Sequence, residues 1–275
     1  MAPRKPTTKA LTTWDEELAK QAAASAAMEE NTASGSFFSL KSGVLSFNDS
    51  PIPGNEMAVV IVDHILENVY HEGEYDPDDP QGPSCFAFGR DEKVMKPHDI
   101  VFEAGKQQND CCGIPGSADC CPQNEWGSAD RGKGKACKNT RRLALLPAGT
   151  FDKNGNFKSI EDPEHYENTA IAYMKLPVTS VRGYAAFVKQ VAGALKRPPH
   201  GLMTKISVVP DAKSQFKVIF EALVQVPNEL MGVIMQRHQE AAASIEFPYQ
   251  LADDEPTAGK GKKKPAAKKR PARKY

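Results

Sequence analysis

The stretch Glu56–Glu72 reads EMAVVIVDHILENVYHE. Its first half is an apolar run rich in Val and Ile, whose branched side chains favour extended backbone. The run is long enough for one bent, largely buried strand, and the rest of the chain is read around it. Upstream, FFSLKSGVLSFND (residues 37–49) holds strand formers in partial alternation, with Gly43 as a bulge or bend, and SPIPGN (50–55) is a turn. Downstream, YDPDDPQGPS (75–84) is an acidic, turn-rich loop, and CFAFG begins a short strand at Cys85. An irregular segment follows from about Asp91 to Lys135.

Regular pattern resumes at ACKNTRRLALLPAG (136–149) and TAIAYMKLPVTS (169–180), both strand-like. SVRGYAAFVKQVAGAL (180–195) reads as a helix with Ser180 as N-cap. MTKISVVPD (203–211) and QFKVIFEALVQV (215–226) form a strand pair around a polar turn, and NELMGVIMQRHQEAAAS (228–244) closes with a helix. Roughly six short, bent strands with turn signals between them point to a small barrel or sandwich with peripheral helices, rather than a βαβ sheet. At the N-terminus residues 1–12 read as disordered. Thr13 and Glu16 then form a capping box that opens an Ala-rich helix to Glu30, with a thin apolar face of Trp14, Leu18 and Met28. The expected organisation is an arm and surface helix over 1–36, a β domain over 37–250 with an insertion at about 91–137, and a basic tail over 251–275.

The 275 residues are 40% hydrophobic and 25% charged, ordinary values for a globular chain able to bury a core without staples. No stretch approaches the ~20 apolar residues of a membrane span, and the N-terminus has no apolar h-region of a secretory signal. A reducing cytoplasm is the expected compartment, and there a cysteine cluster points to metal more than to disulfides. The formal charge is zero but unevenly spread. Gly259–Tyr275 carries nine Lys and Arg and no acid, so residues 1–258 hold 26 basic against 35 acidic residues. Such a Pro-, Gly- and Ala-rich basic tail reads as disordered and attracted to nucleic-acid phosphates.

Four of the six cysteines lie in CCGIPGSADCCPQNEWGS (111–128), as two adjacent pairs; Cys85 and Cys137 flank the loop. Structural zinc takes four Cys or His ligands in a tetrahedron. Adjacent cysteines project differently, so each pair supplies one ligand. The expected set is Cys85, Cys112, Cys121 and Cys137, with Cys111 and Cys120 as alternates and His98 as a lesser replacement. The metal would then fix the long irregular insertion. Catalytic readings find no support. His71 directly precedes Glu72 rather than forming H-x-E, and no H-E-x-x-H, phosphate-loop or G-x-S-x-G motif occurs. A non-enzymatic chain is expected.

Around Cys137 the stretch WGSADRGKGKACKNTRR gathers Arg131, Lys133, Lys135, Lys138, Arg141 and Arg142 just after Trp126. A local basic excess beside an aromatic ring suits single-stranded nucleic acid, where cations follow the backbone and rings stack on bases. Phe38 and Lys41 of FFSLK join this candidate surface.

FFSLKSGVLSFNDSPIPGN, YDPDDPQGPSCFAFG, CCPQNEWGSADRGKGKACKNTRRLALLP and LPVTSVRGYAAFVKQVA together resemble a group of tailed-phage single-stranded DNA-binding proteins. The likeness spans roughly residues 14–248. Its most specific block is Cys121, Pro122, Asn124, Trp126, Gly127, Ser128, Gly134, Lys135, Ala136, Cys137 and Lys138. The resemblance implies an oligonucleotide/oligosaccharide-binding (OB) type barrel with an inserted zinc loop. It also implies sequence-independent binding of single-stranded DNA in replication or recombination, alongside phage replication proteins, in the host cytoplasm. The rival reading is a zinc-ribbon-like interaction module contacting a polymerase or transcription complex.

Overall fold

The computed structural model describes residues 36–73, 81–130 and 132–252. The expected N-terminal arm and helix, Arg131 and the basic tail lie outside the described residues. The chain divides into two compact units: one of residues up to Ile65 together with Thr140–Glu246, the other of Leu66–Asn139 with the chain from Phe247 onward. The second unit therefore begins well before the insertion expected at about 91–137, because it takes in the last residues of one long strand and the whole of the next.

Among the described residues the fold is mainly β, with ten strands in an open, mixed sheet and a few helices. The strands are β1 (Phe37–Ser39), β2 (Ser46–Phe47), β3 (Ser50–Pro51), β4 (Glu56–Tyr70), β5 (Cys85–Gly89), β6 (Lys138–Phe151), β7 (Phe157–Ser159), β8 (Ala172–Leu176), β9 (Leu202–Asp211) and β10 (Gln215–Gln225). The helices are α1 (Asp99–Glu103), α2 (Pro163–Asn168), α3 (Val178–Leu195) and α4 (Asn228–Ser244).

In the first unit the strand order is β10-β9-β4-β6-β8-β1-β2-β3, with β7 beside β6. β1 lies parallel to β8, and β9 is antiparallel to both β4 and β10. Met57 to Asp63 of β4 are buried without a break, as expected of a central strand covered on both faces. Period-2 alternation divides these residues. Met57, Val59 and Ile61 share one core with Leu143 and Leu145 of β6 and with Met174 and Leu176 of β8. Onto that face α3 lays Tyr184, Phe187 and Val191, spaced three and four apart. The Tyr184 and Phe187 rings meet Phe220 of β10 at centroid distances of 5.0 and 5.8 Å. Each fully buried side chain of this kind contributes about 1.5–3 kcal/mol.

Ser180 is not the N-cap of α3. The helix starts at Val178 after Pro177, and the Ser180 hydroxyl, buried one turn in, accepts the Val218 N–H at 3.0 Å. That N–H points away from β9, so Ser180 satisfies an edge donor of β10 that no further strand takes up.

The β1–β2 end of the sheet curls back onto β9 and β10. Asn55, at φ +58°, donates from Nδ2 to Gly43 O at 2.7 Å and to Val208 O at 3.1 Å, and accepts from Leu45 N at Oδ1. Gly43 takes φ +77°, and a Cβ there would stand 3.3 Å from the Phe216 side chain. One asparagine thus ties the turn between β1 and β2 to β9.

The second unit is built on the Leu66–Tyr70 part of β4 paired antiparallel with β5, from Leu66↔Gly89 to Tyr70↔Cys85. Val69, Phe86, Val101 and Leu251 form its small core, with Phe88 and Tyr249 packed against it. Tyr249 donates its hydroxyl to the buried Glu67 carboxylate. His98 caps α1, its Nδ1 accepting from Ile100 N at 3.3 Å, and its ring packs on Phe86.

Candidate functional site

The cysteine loop is folded by its own backbone. Asp110 N donates to Asp119 O at 2.8 Å and Cys121 N to Asp110 O at 2.7 Å, so the two cysteine-bearing segments run side by side. Neighbouring residues on such segments point to opposite sides. The outer members, Cys112 and Cys120, form a disulfide with a Cα–Cα distance of 5.5 Å. The inner members, Cys111 and Cys121, are free and buried. Cys85 opens β5, and Cys137 precedes β6 and is fixed by donation from its N–H to Gln123 O at 2.8 Å.

Cys85, Cys111, Cys121 and Cys137 line one pocket, with Ala87 and Asn124 beside them. The sequence reading is corrected at one member: Cys112 is tied to Cys120, and Cys111 takes the inner place. The cluster, read from sequence as pointing to metal more than to disulfides, thus contains one disulfide. His98 is not among the pocket residues.

The four thiols perturb one another. Burial, then the Cys121 sulfur, pushes Cys85 up to about 12. Burial, then Cys85 and Cys121, pushes Cys137 up to about 12 against the opposing pull of Lys135 and Lys138. Cys111 is raised by burial and then by the other three thiols. Cys121 is raised by burial, but the backbone N–H groups of Gln123 and Asn124 point at its sulfur and pull it down. The Gln107 amide adds a further donor to Cys121 Sγ at 3.1 Å. Without a cation these thiols stay protonated and pack as small apolar groups. Among the described residues, no group of three or more His, Cys, Asp or Glu side chains is already arranged to hold a metal ion. The pocket lining holds four sulfurs and no carboxylate, and N–H donors are aimed at one of the sulfurs.

Beside the pocket, Trp126 is 76% exposed, so it does not cap the cysteines. Its loop is ordered by bonds from Gly127 N to Gly134 O and from Ala136 N to the Ser128 hydroxyl. Lys135 Nζ stands 5.7 Å from the ring centroid, close enough for a cation–π contact. Lys133 is exposed on the same loop, and Lys138, exposed at the start of β6, donates to Lys135 O. Lys41 is exposed in the first unit and pairs with Asp49 at 3.8 Å.

Three other expected contacts are not surface groups of this kind. Phe38 is 8% exposed and belongs to the main core, its ring 4.9 Å from Phe47. Arg142 is 3% exposed and donates to Ile245 O at 2.9 Å. Arg141 is half-buried and turns back to Thr140 O at 2.8 Å. Phe37, which the sequence places more readily in the core, and Phe47, which it passed over, both expose more than a third of their surface. Strand alternation beside Phe38 carried the signal for Phe37. Gln107 was missed, and Asn124 entered only as a member of the motif block with no role of its own, because an amide in a polar loop carries no mark of what it touches.

No protein-family model matches this chain, and no characterised protein or solved structure is similar enough to register as a match.

Proposed function

We propose that this chain binds single-stranded DNA without sequence preference, as a non-enzymatic protein of phage DNA replication or recombination acting in the host cytoplasm. The observation that carries the reading is Trp126: a large ring, 76% exposed on a bonded loop, with Lys135 over it and the exposed Lys133 and Lys138 following within twelve residues of sequence. A base stacked on such a ring contributes ~1–3 kcal/mol, and the lysines attract the backbone. The exposed Lys41 and the basic tail add phosphate-attracting charge, and the motif resemblance to phage single-stranded DNA-binding proteins points the same way. An OB-like small barrel is proposed with it, on the bonds by which Asn55 ties the turn between β1 and β2 to β9.

In the same reading one structural zinc is held by Cys85, Cys111, Cys121 and Cys137. Zinc supplies a four-thiolate cross-link that orders a loop with little core of its own. The Gln123 and Asn124 N–H groups and the Gln107 amide stabilise charge on Cys121, and Lys135 and Lys138 do so on Cys137.

A second reading, the interaction module for a polymerase or transcription complex, draws on exposed apolar side chains of the second unit: Val94, Phe102 and Ile114 are 70%, 53% and 58% exposed. The test is oligonucleotide binding by the full chain and by Trp126→Leu, on single- and double-stranded oligonucleotides at two salt concentrations. Single-strand preference that falls about 5- to 150-fold in Trp126→Leu, at unchanged folding, supports DNA binding. Weak binding to both forms, indifferent to Trp126, leaves the interaction module.

A further inference from the structure

Asn124 is 1% exposed, and both polar atoms of its side chain have partners. Its N–H is one of the two aimed at Cys121 sulfur. Its side-chain Nδ2 donates to Cys111 O at 2.5 Å, and its Oδ1 accepts from Lys135 Nζ at 3.2 Å. The same ammonium lies over the Trp126 ring. One residue thus touches both inner cysteine segments and, through Lys135, the exposed ring. Gly113 shows how closely this is packed. It takes φ +60°, and a Cβ there would stand 3.1 Å from Asn124 Nδ2 and 3.3 Å from Lys135 Nζ.

We propose that Asn124 and Lys135 are positioning residues that set the Trp126 ring according to the state of the thiol pocket, so that a filled pocket presents the ring for stacking. This rests on the zinc and single-stranded DNA readings above. Lys135 is then committed to the ring and the amide, and Lys133 and Lys138 remain to meet phosphates. A cation over one ring face leaves the opposite face for a base. Adding or removing the metal moves Cys111 and Cys121, the two segments that Asn124 holds, and Lys135 passes that movement to Trp126.

The test uses the full chain carrying Trp14→Phe, so that Trp126 is the sole tryptophan. Zinc content, Trp126 emission with and without chelator, and oligo-dT affinity at one salt concentration are read on each variant. The parent should hold one zinc, shift its emission on chelation and bind oligo-dT more weakly once stripped. Lys135→Met, which loses one of the two cations beside Cys137 and is therefore read at saturating zinc, should lose the emission response and bind oligo-dT roughly two- to fivefold more weakly. Lys135→Arg should restore most of both. Gly113→Ala changes neither partner's chemistry but crowds their contact, and should reproduce the Lys135→Met behaviour if that variant folds poorly. A Lys135→Met protein with zinc retained and an unchanged emission response overturns the proposal. A parent without zinc overturns the metal reading and the coupling together. A zinc-dependent emission response without oligo-dT binding upholds the link and overturns the DNA reading.

Discussion

Replacing Arg142 by Met separates a structural arginine from a DNA-binding one. The side chain is 3% exposed, and its Nη1 donates to the carbonyl of Ile245, itself fully buried at the end of α4. Met keeps much of the apolar stem and removes the donor, leaving a buried carbonyl without this partner. A hydrogen bond from a charged group is worth about 1.5–3 kcal/mol. For a domain of this size each kcal/mol moves the melting temperature by about 2–4 °C, so the midpoint should fall by roughly 3–12 °C. Thermal unfolding followed by circular dichroism measures the shift. Oligo-dT affinity, read well below both midpoints, should stay within about twofold of the parent, because the guanidinium is covered. Lys138→Met is the counterpart: exposed, with little effect on the midpoint, weaker DNA binding and a shallower salt dependence. An Arg142→Met protein that melts with the parent yet loses oligo-dT affinity would refute the assignment.

Cys111→Ser and Cys137→Ser should abolish zinc retention in elemental analysis, whereas Cys112→Ser should retain it, because Cys112 is tied to Cys120 outside the pocket. In metal-stripped protein, the folded state holds Cys85 and Cys137 at about 12, above their ordinary value. The unfolded chain gives up those protons first, so stability should fall as pH rises from about 9 towards 12. Urea midpoints across that range measure it, and a rising midpoint refutes it. Metal affinity runs the other way, since four thiol protons must leave, and zinc should be lost on acidification in a dialysis series. Deleting Gly259–Tyr275 should weaken DNA binding at low salt and flatten its salt dependence while sharpening the preference for single strands, read by titration at two salt concentrations.

The strands were legible where burial is symmetrical. The unbroken Val and Ile run of β4 announces a strand covered on both faces, and the β9–β10 pair follows from two strand-like runs around a polar turn. The helices at 178–195 and 228–244 follow from their period. The start of α3 was not legible, because Ser180 is an equally good cap and edge-strand partner in sequence, and its choice depends on β10, more than thirty residues away. Asn55 carries no sequence signal either. Its weight comes from bringing Gly43 and Val208 together, contacts 12 and 153 residues apart.

The basic run after Trp126 shows where pattern stops informing. Alternation along β6 gives Lys138 and Arg142 the same parity, and parity does not say what lies over each residue. Lys138 meets solvent, and Arg142 meets the end of α4. The cysteine pairs pose the same problem with a sharper consequence. Their adjacency implies that each pair divides between two sides, and it does. Which member turns inward is fixed by the bonds from Asp110 N to Asp119 O and from Cys121 N to Asp110 O, and those depend on how the loop closes. Once that register is set, one pairing makes a disulfide and its complement faces Cys85 and Cys137. Shifting one segment by one residue would swap the inner and outer members of its pair and break both arrangements. The loop's backbone register, more than the number of its cysteines, therefore decides whether it presents four thiols to one pocket.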